Sequence, residues 1–268
     1  MSILDWRETE DWKNAVQTYA REFLHEGLIT DLRESGVTNC WSDDMSWLPN
    51  STIVESIEEA FCCYYSEVKC FHGARPSNVA SYFESGLLGQ NQDYLEEEFC
   101  RIFSDVEERH LRQAVLELES RGLSEKGKVY LVCDDRDLVE ECGHYLIQGS
   151  EYIMALAATL ARRSSASEDY RLRLRKIGIP TIFEVNLPVS MIPALQLNEL
   201  IRCIIASWCS GQLASEDEYD YEMNFAIHND IGAKHIVGHY HPNRIRDPHI
   251  ELEWYTPAQI SCEVCHAL

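Results

Sequence analysis

Residues 70–87 read CFHGARPSNVASYFESGL, and this stretch decides how the rest of the chain is read. The run SEVKCFHG (66–73) is rich in strand formers and ends in His72-Gly73. Arg75-Pro76 follows, and a proline is well placed in a first helical turn, where its missing N–H would have no partner anyway. Val79, Tyr82 and Phe83 fall on one helical face, and Gly86 suits a left-handed stop. The expectation is a short strand ending in an imidazole and a glycine, then a short helix. Such a pair lets side chain and backbone approach a ligand together, because glycine has no Cβ to hold it off.

Working outward, residues 1–66 are acidic and aromatic and read as a helical extension. DWKNAVQTYAREFLHEG (11–27) has Trp12, Val16, Tyr19, Phe23 and Leu24 at helical spacing, with Gly27 as the stop. STIVESIEEAF (51–61) reads as a second helix begun at Ser51. Beyond the opening stretch, residues 94–121 read as one charged amphipathic helix, KVYLVCDD as a strand, and residues 136–163 as helix broken near Gly149. IPTIFEVNLP is a strand bounded by prolines and NELIRCIIASWC a buried helix. YDYEMNFAI, HIVGHYHP and HIELEWY read as late strands. Helices lead and strands cluster late, an α+β pattern rather than a regular βαβ alternation. The expected division is 1–66 and 67–268.

The net charge of -22 excludes broad, sequence-independent binding to duplex nucleic acid, which needs a basic face to displace counterions. One local basic cluster stands out, Arg171, Arg173 and Arg175, a candidate contact for a phosphate-bearing target. The N-terminus shows no basic and apolar leader, and no stretch reaches the ~18 apolar residues of a membrane span. Eleven cysteines, an odd number without an export signal, read as reduced thiols of a cytoplasmic protein.

Metal chemistry has two weak candidates. His235, His239 and His241 share a strand face by period two, with His249 nearby, but no Cys or acidic residue stands beside them at a standard zinc spacing. CEVCH (262–266) matches a c-type haem attachment pattern, a chemistry of exported proteins, and a lone CxxC needs two more ligands from elsewhere to hold zinc. No metal site is expected. A metal-dependent hydrolase built on the late histidines remains a third reading, which metal analysis of the purified protein decides.

The ordered segments resemble those of the ADP-ribosyltransferase superfamily. FHGARPSNVASYFESGL resembles the His-Gly segment of the diphtheria-toxin and poly(ADP-ribose) polymerase branch, with Ala74 where Thr or Ser is usual. KVYLVCDD, followed by helical HYLIQGSEY, resembles the second motif, a strand tyrosine followed by a helix carrying another aromatic. PTIFEVNLP is similar to the next core strand. YEMNFAIHNDIGAKHIVGHY resembles the glutamate-led strand of bacterial mono-ADP-ribosylating toxins, with Ile231 and Ile236 five apart, which implies Glu222 as the catalytic acid. ELEWYTPAQI is similar to the last polymerase strand and implies Glu251 or Glu253 instead.

What the resemblance implies is a split β-sheet catalytic core over residues 67–268 and cleavage of NAD, as co-substrate, at its nicotinamide–ribose bond. His72 and Gly73 would hold a ribose and the carboxamide, Tyr130 and Tyr145 would stack on the nicotinamide ring, and Arg75 would meet the pyrophosphate. ADP-ribose would pass to a macromolecular acceptor, a protein, or RNA or DNA through the Arg171–Arg175 region. A toxin–antitoxin or anti-phage setting would add an inhibitory antitoxin or immunity protein as partner. A non-catalytic NAD- or ADP-ribose-binding module on the same fold is the alternative.

Overall fold

The computed structural model describes residues 2–164, 168–213, 221–250 and 253–266. In chain order it runs β1 (Ser2–Asp5), α1 (Thr9–Tyr19), α2 (Glu26–Glu34), α3 (Thr52–Tyr64), β2 (Tyr65–Ala74), α4 (Ala80–Ser85), α5 (Gln92–Ile102) and α6 (Glu108–Glu125). It continues with β3 (Val129–Val132), α7 (Asp135–Glu140), α8 (His144–Ile147), α9 (Glu151–Ser164), α10 (Arg171–Leu174), β4 (Thr181–Pro188) and α11 (Ala194–Leu213). The last elements are β5 (Asn224–Ile227), β6 (Ile236–Tyr240), β7 (Ile245–Arg246) and β8 (Trp254–Tyr255). The protein is α+β, as expected. Its main sheet has the order β5-β3-β2-β4-β6, with β1 pairing β2 off this path, and β7 pairs β8. β1 runs parallel to β2, whereas β2–β3 and β4–β6 are antiparallel.

Two compact units divide the chain: residues 1–70 with 186–225, and residues 71–185 with 226–268. The expected boundary at residue 66 therefore changes in kind, because the first unit is completed by a later segment. The reason is α11. Leu200, Ile201, Ile204 and Ile205 are fully buried on it, and it packs against α1, α2 and α3. Each such aliphatic side chain, fully buried, contributes about 1.5–3 kcal/mol of hydrophobic stabilisation, so this helix belongs to the core it covers.

Within the first unit, the helix expected over 11–27 is two helices. α1 ends at Tyr19, and the His25 side chain starts α2 by accepting the Leu28 N–H at 3.2 Å. Gly27 thus lies in a first turn rather than at a stop. Trp6 and Trp12 stack with ring centroids 4.9 Å apart, and Trp6 Nε1 donates to the Tyr221 carbonyl at 3.2 Å.

In the second unit the helix expected over 94–121 is likewise broken, into α5 and α6. Buried Phe103 leaves the helical conformation, and both Asp105 carboxylate oxygens accept from Arg173 Nη1 at 2.8 Å. A tertiary ion pair thus takes the chain where the apolar period would have continued. Phe99, Phe103 and Ala114 pack with Tyr152, Leu156 and Leu160 of α9. A second cluster joins Phe71, Leu138, Leu146, Ile147, Ile182 and Ile245 beneath the end of β2. Gly149 separates α8 from α9 with φ 87°, matching the expected break.

The loop after α4 is fixed by Gly86. Its φ is 84° and its N–H bonds the Tyr82 carbonyl, but ψ of -166° takes it beyond the left-handed helical cap that was expected. A Cβ there would lie 2.1 Å from the Ile231 carbonyl oxygen. This closeness lets Leu87 and Ile231 exchange both backbone hydrogen bonds, at 2.9 Å each.

Candidate functional site

β2 delivers His72 and Gly73 at its end, as the sequence reading expected. Val129 and Leu131 of β3 are buried while Tyr130 between them is 43% exposed, so strand alternation turns the Tyr130 ring outward. His72 Nδ1 lies 2.9 Å from the Tyr130 carbonyl oxygen. A carbonyl only accepts, so Nδ1 carries the proton, and in the neutral ring Nε2 is left as an acceptor. Burial holds the His72 imidazole below the ordinary histidine value, partly offset by the hydrogen bond to Tyr130. His72 is therefore a neutral, oriented acceptor at pH 7, suited to a ligand hydroxyl.

Tyr145 comes from α8 and is close enough to Tyr130 to oppose ionisation of the Tyr130 phenol. Two carboxylates surround them. The Tyr130 hydroxyl donates to Glu125 at the end of α6, and the Tyr145 hydroxyl lies 3.5 Å from Glu151 at the start of α9. Burial, then Glu125, pushes the Tyr130 phenol far above its ordinary value; burial, then Glu151, pushes Tyr145 up to about 12. Both phenols are neutral at any physiological pH. The sequence reading named the two tyrosines but missed Glu125 and Glu151. The Glu151 of QGSEY was visible in the motif, whereas nothing local marks Glu125.

Gly73 has a structural role in packing: a Cβ there would meet Leu138 Cδ2 at 3.1 Å. Arg75 is half-buried and donates to three carbonyls, Ile177 at 2.7 Å, Leu146 at 2.9 Å and Arg175. It ties the end of α8 to the segment leading into β4.

Glu222 belongs to the first unit. It is exposed, between Tyr221, which accepts from Trp6 and reaches the Cys40 carbonyl, and buried Met223, two residues before β5. Glu253 is exposed, just before β8, and Glu251 lies outside the described residues. The arginines of the basic cluster are each engaged. Arg171 pairs with Asp169 at 2.7 Å, Arg173 with Asp105 and Glu168, and Arg175 with buried Asp247 at 2.6 Å.

The late histidines divide. The His249 ring lies tilted against that of His144, with centroids 5.8 Å apart, and His235 sits in a 3₁₀ turn before β6. His239 and His241 instead meet Cys262 and Cys265, all four ligand-capable atoms lying within 4.8 Å of one another. The sequence reading saw the histidines without partners and the CxxC without partners; the chain brings each to the other. Among the described residues no helix is long and apolar enough to cross a membrane.

No protein-family model, curated protein or solved structure matches this chain.

Proposed function

We propose that this protein is an NAD-consuming mono-ADP-ribosyltransferase with an ADP-ribosyltransferase-like split-sheet core, a toxin or effector acting in the cytoplasm on a macromolecular acceptor. The observation that carries the reading is the joining of two motifs far apart in sequence: the His72 imidazole, at the end of β2, is bonded to the carbonyl of outward-facing Tyr130 on β3. Several of the segments that prompted the resemblance lie on elements compatible with it, although Glu222 stands just outside a strand rather than opening it. A strand ends in His72-Gly73 and a helix follows to Gly86-Leu87; Tyr130 is on a strand and Tyr145 on a short helix after it; Glu222 shortly precedes β5, and Ile236 begins β6.

Cleavage of a nicotinamide–ribose bond passes through a cationic, oxocarbenium-like sugar, as in glycoside hydrolysis. In this reading neutral His72 accepts a ribose hydroxyl at Nε2 and fixes the sugar. Tyr130 and Tyr145 offer neutral rings to the nicotinamide, for which offset stacking is favourable. Glu222 supplies the carboxylate that stabilises the developing positive charge. Arg75, tied to three carbonyls, shapes the ligand-facing loop. Because the Arg171, Arg173 and Arg175 guanidiniums are already paired, a protein acceptor fits better than a nucleic acid one.

The test is release of free nicotinamide from NAD by the purified protein with cell lysate as acceptor, with Glu222→Gln, Glu251→Gln and Glu253→Gln beside it. Release abolished by the first change alone supports Glu222 as the acid. Loss with either of the others moves the acid to the last strand. NAD binding without release defines a non-catalytic binding module.

A further inference from the structure

We propose that His239, His241, Cys262 and Cys265 form a tetrahedral zinc site that fastens the C-terminal segment to β6. The distances carry the assignment. A tetrahedral zinc ion with Zn–S of about 2.3 Å and Zn–N of about 2.0–2.1 Å sets its sulfurs about 3.8 Å apart and each nitrogen about 3.5 Å from each sulfur. The two Sγ atoms stand 3.7 Å apart, and His239 Nε2 is 3.4 Å from both. A disulfide would bring the sulfurs to about 2.05 Å, and both cysteines are free thiols.

The surroundings prepare both histidines as ligands. His241 Nδ1 donates to the Pro180 carbonyl at 2.8 Å, which leaves Nε2 with its lone pair. That Nε2 is buried and has no hydrogen-bond partner. An orienting bond from the second ring nitrogen to a carbonyl is the usual support of a metal-bound histidine. His239 lies opposite Phe183 in the β4–β6 ladder, and its ring is edge-on to Phe83 of α4 at 5.4 Å. Ring packing therefore aims its Nε2 at the thiols.

Two thiolates and two neutral imidazoles give a neutral site with Zn²⁺, and binding releases the two thiol protons. A sulfur–nitrogen tetrahedron favours zinc over the oxygen-seeking divalent cations. Four protein ligands leave no open position, so the site is structural, and a hydrolytic water has no place on it. Among its described residues, the segment it fastens contains only β8 and one 3₁₀ turn, Glu263–His266. The metal supplies the order that so little secondary structure cannot.

The test uses the full-length protein purified under reducing conditions without chelator. Elemental analysis should find about one zinc per chain. Replacement with Co²⁺ should give the thiolate charge-transfer and intense visible bands of a tetrahedral sulfur–nitrogen site. Cys262→Ser with Cys265→Ser should abolish both signals, and His249→Ala should leave them intact. Should the double variant fail to fold, the cobalt spectrum of the wild type decides alone. Sub-stoichiometric metal that stays so after reconstitution with Zn²⁺, an octahedral cobalt spectrum, or a Cys262–Cys265 disulfide in the reduced preparation would each overturn the proposal.

Discussion

Replacing Gly86 with alanine should destabilise the second unit strongly, and the size of the effect follows from two features. The backbone at φ 84°, ψ -166° is a conformation that costs a side-chain-bearing residue about 1–3 kcal/mol. The new Cβ would also sit 2.1 Å from the Ile231 carbonyl oxygen and 2.8 Å from the Ala233 nitrogen, both backbone atoms that cannot rotate away. Relief requires parting the Leu87–Ile231 bridge, whose two hydrogen bonds contribute about 0.5–1.5 kcal/mol each. The expected loss is about 2–6 kcal/mol. At a urea dependence of about 3 kcal/mol/M, the unfolding midpoint should fall by about 0.7–2 M. Gly211 is the matched control: it is exposed within α11, and an added Cβ would meet nothing within 4 Å. Gly211→Ala should stabilise by about 0.5–1 kcal/mol, the helix preference of alanine over glycine. If Gly86→Ala unfolds within 0.5 M of the wild type while retaining its urea dependence, the close approach at Ile231 is not what fixes this loop.

Asp247→Asn should cost about 3 kcal/mol, because it leaves Arg175, with 17% of its side chain exposed, without a carboxylate; a urea midpoint within error of the wild type would contradict that pairing. His72 and His144 are both held below the ordinary histidine value of about 6.5, chiefly by burial, so the unfolded chain takes up protons there before the folded one does. Stability should thus fall as pH drops below about 6.5 and level off below the folded values; a stability rising with acidity in that window would refute the assignment. Nicotinamide release should for the same reason persist below pH ~6.5 and fall only as His72 itself protonates, and a midpoint above the ordinary histidine value would count against a neutral His72 acceptor.

How much of this was legible in the sequence depends on the range of the forces involved. The strand ending at His72-Gly73, the break at Gly149 and the apolar α11 are written in local composition and period, and they fold as read. The split between α1 and α2 is set by one side-chain cap, His25 on Leu28, which helical spacing alone does not reveal. The split between α5 and α6 comes with an ion pair between Asp105 and Arg173, 68 residues apart. Arg75 illustrates the same limit. Its charge suggests a phosphate, but its three carbonyl partners lie 71 to 102 residues away and cannot be seen from the motif. The Cys–His cluster is the strongest case. His239 and Cys265 are 26 residues apart, and only the return of the C-terminal segment makes two incomplete motifs one ligand set.

The central claim is transfer of ADP-ribose, and one measurement addresses it directly. Purified protein is incubated with cell lysate and NAD radiolabelled on its adenylate phosphate, beside Glu222→Gln and His72→Ala. The proposed function predicts covalent label on a macromolecule with the wild type, resistant to denaturing washes, and none with either variant. Label absent from every macromolecule while the protein folds normally and NAD stays intact would contradict it.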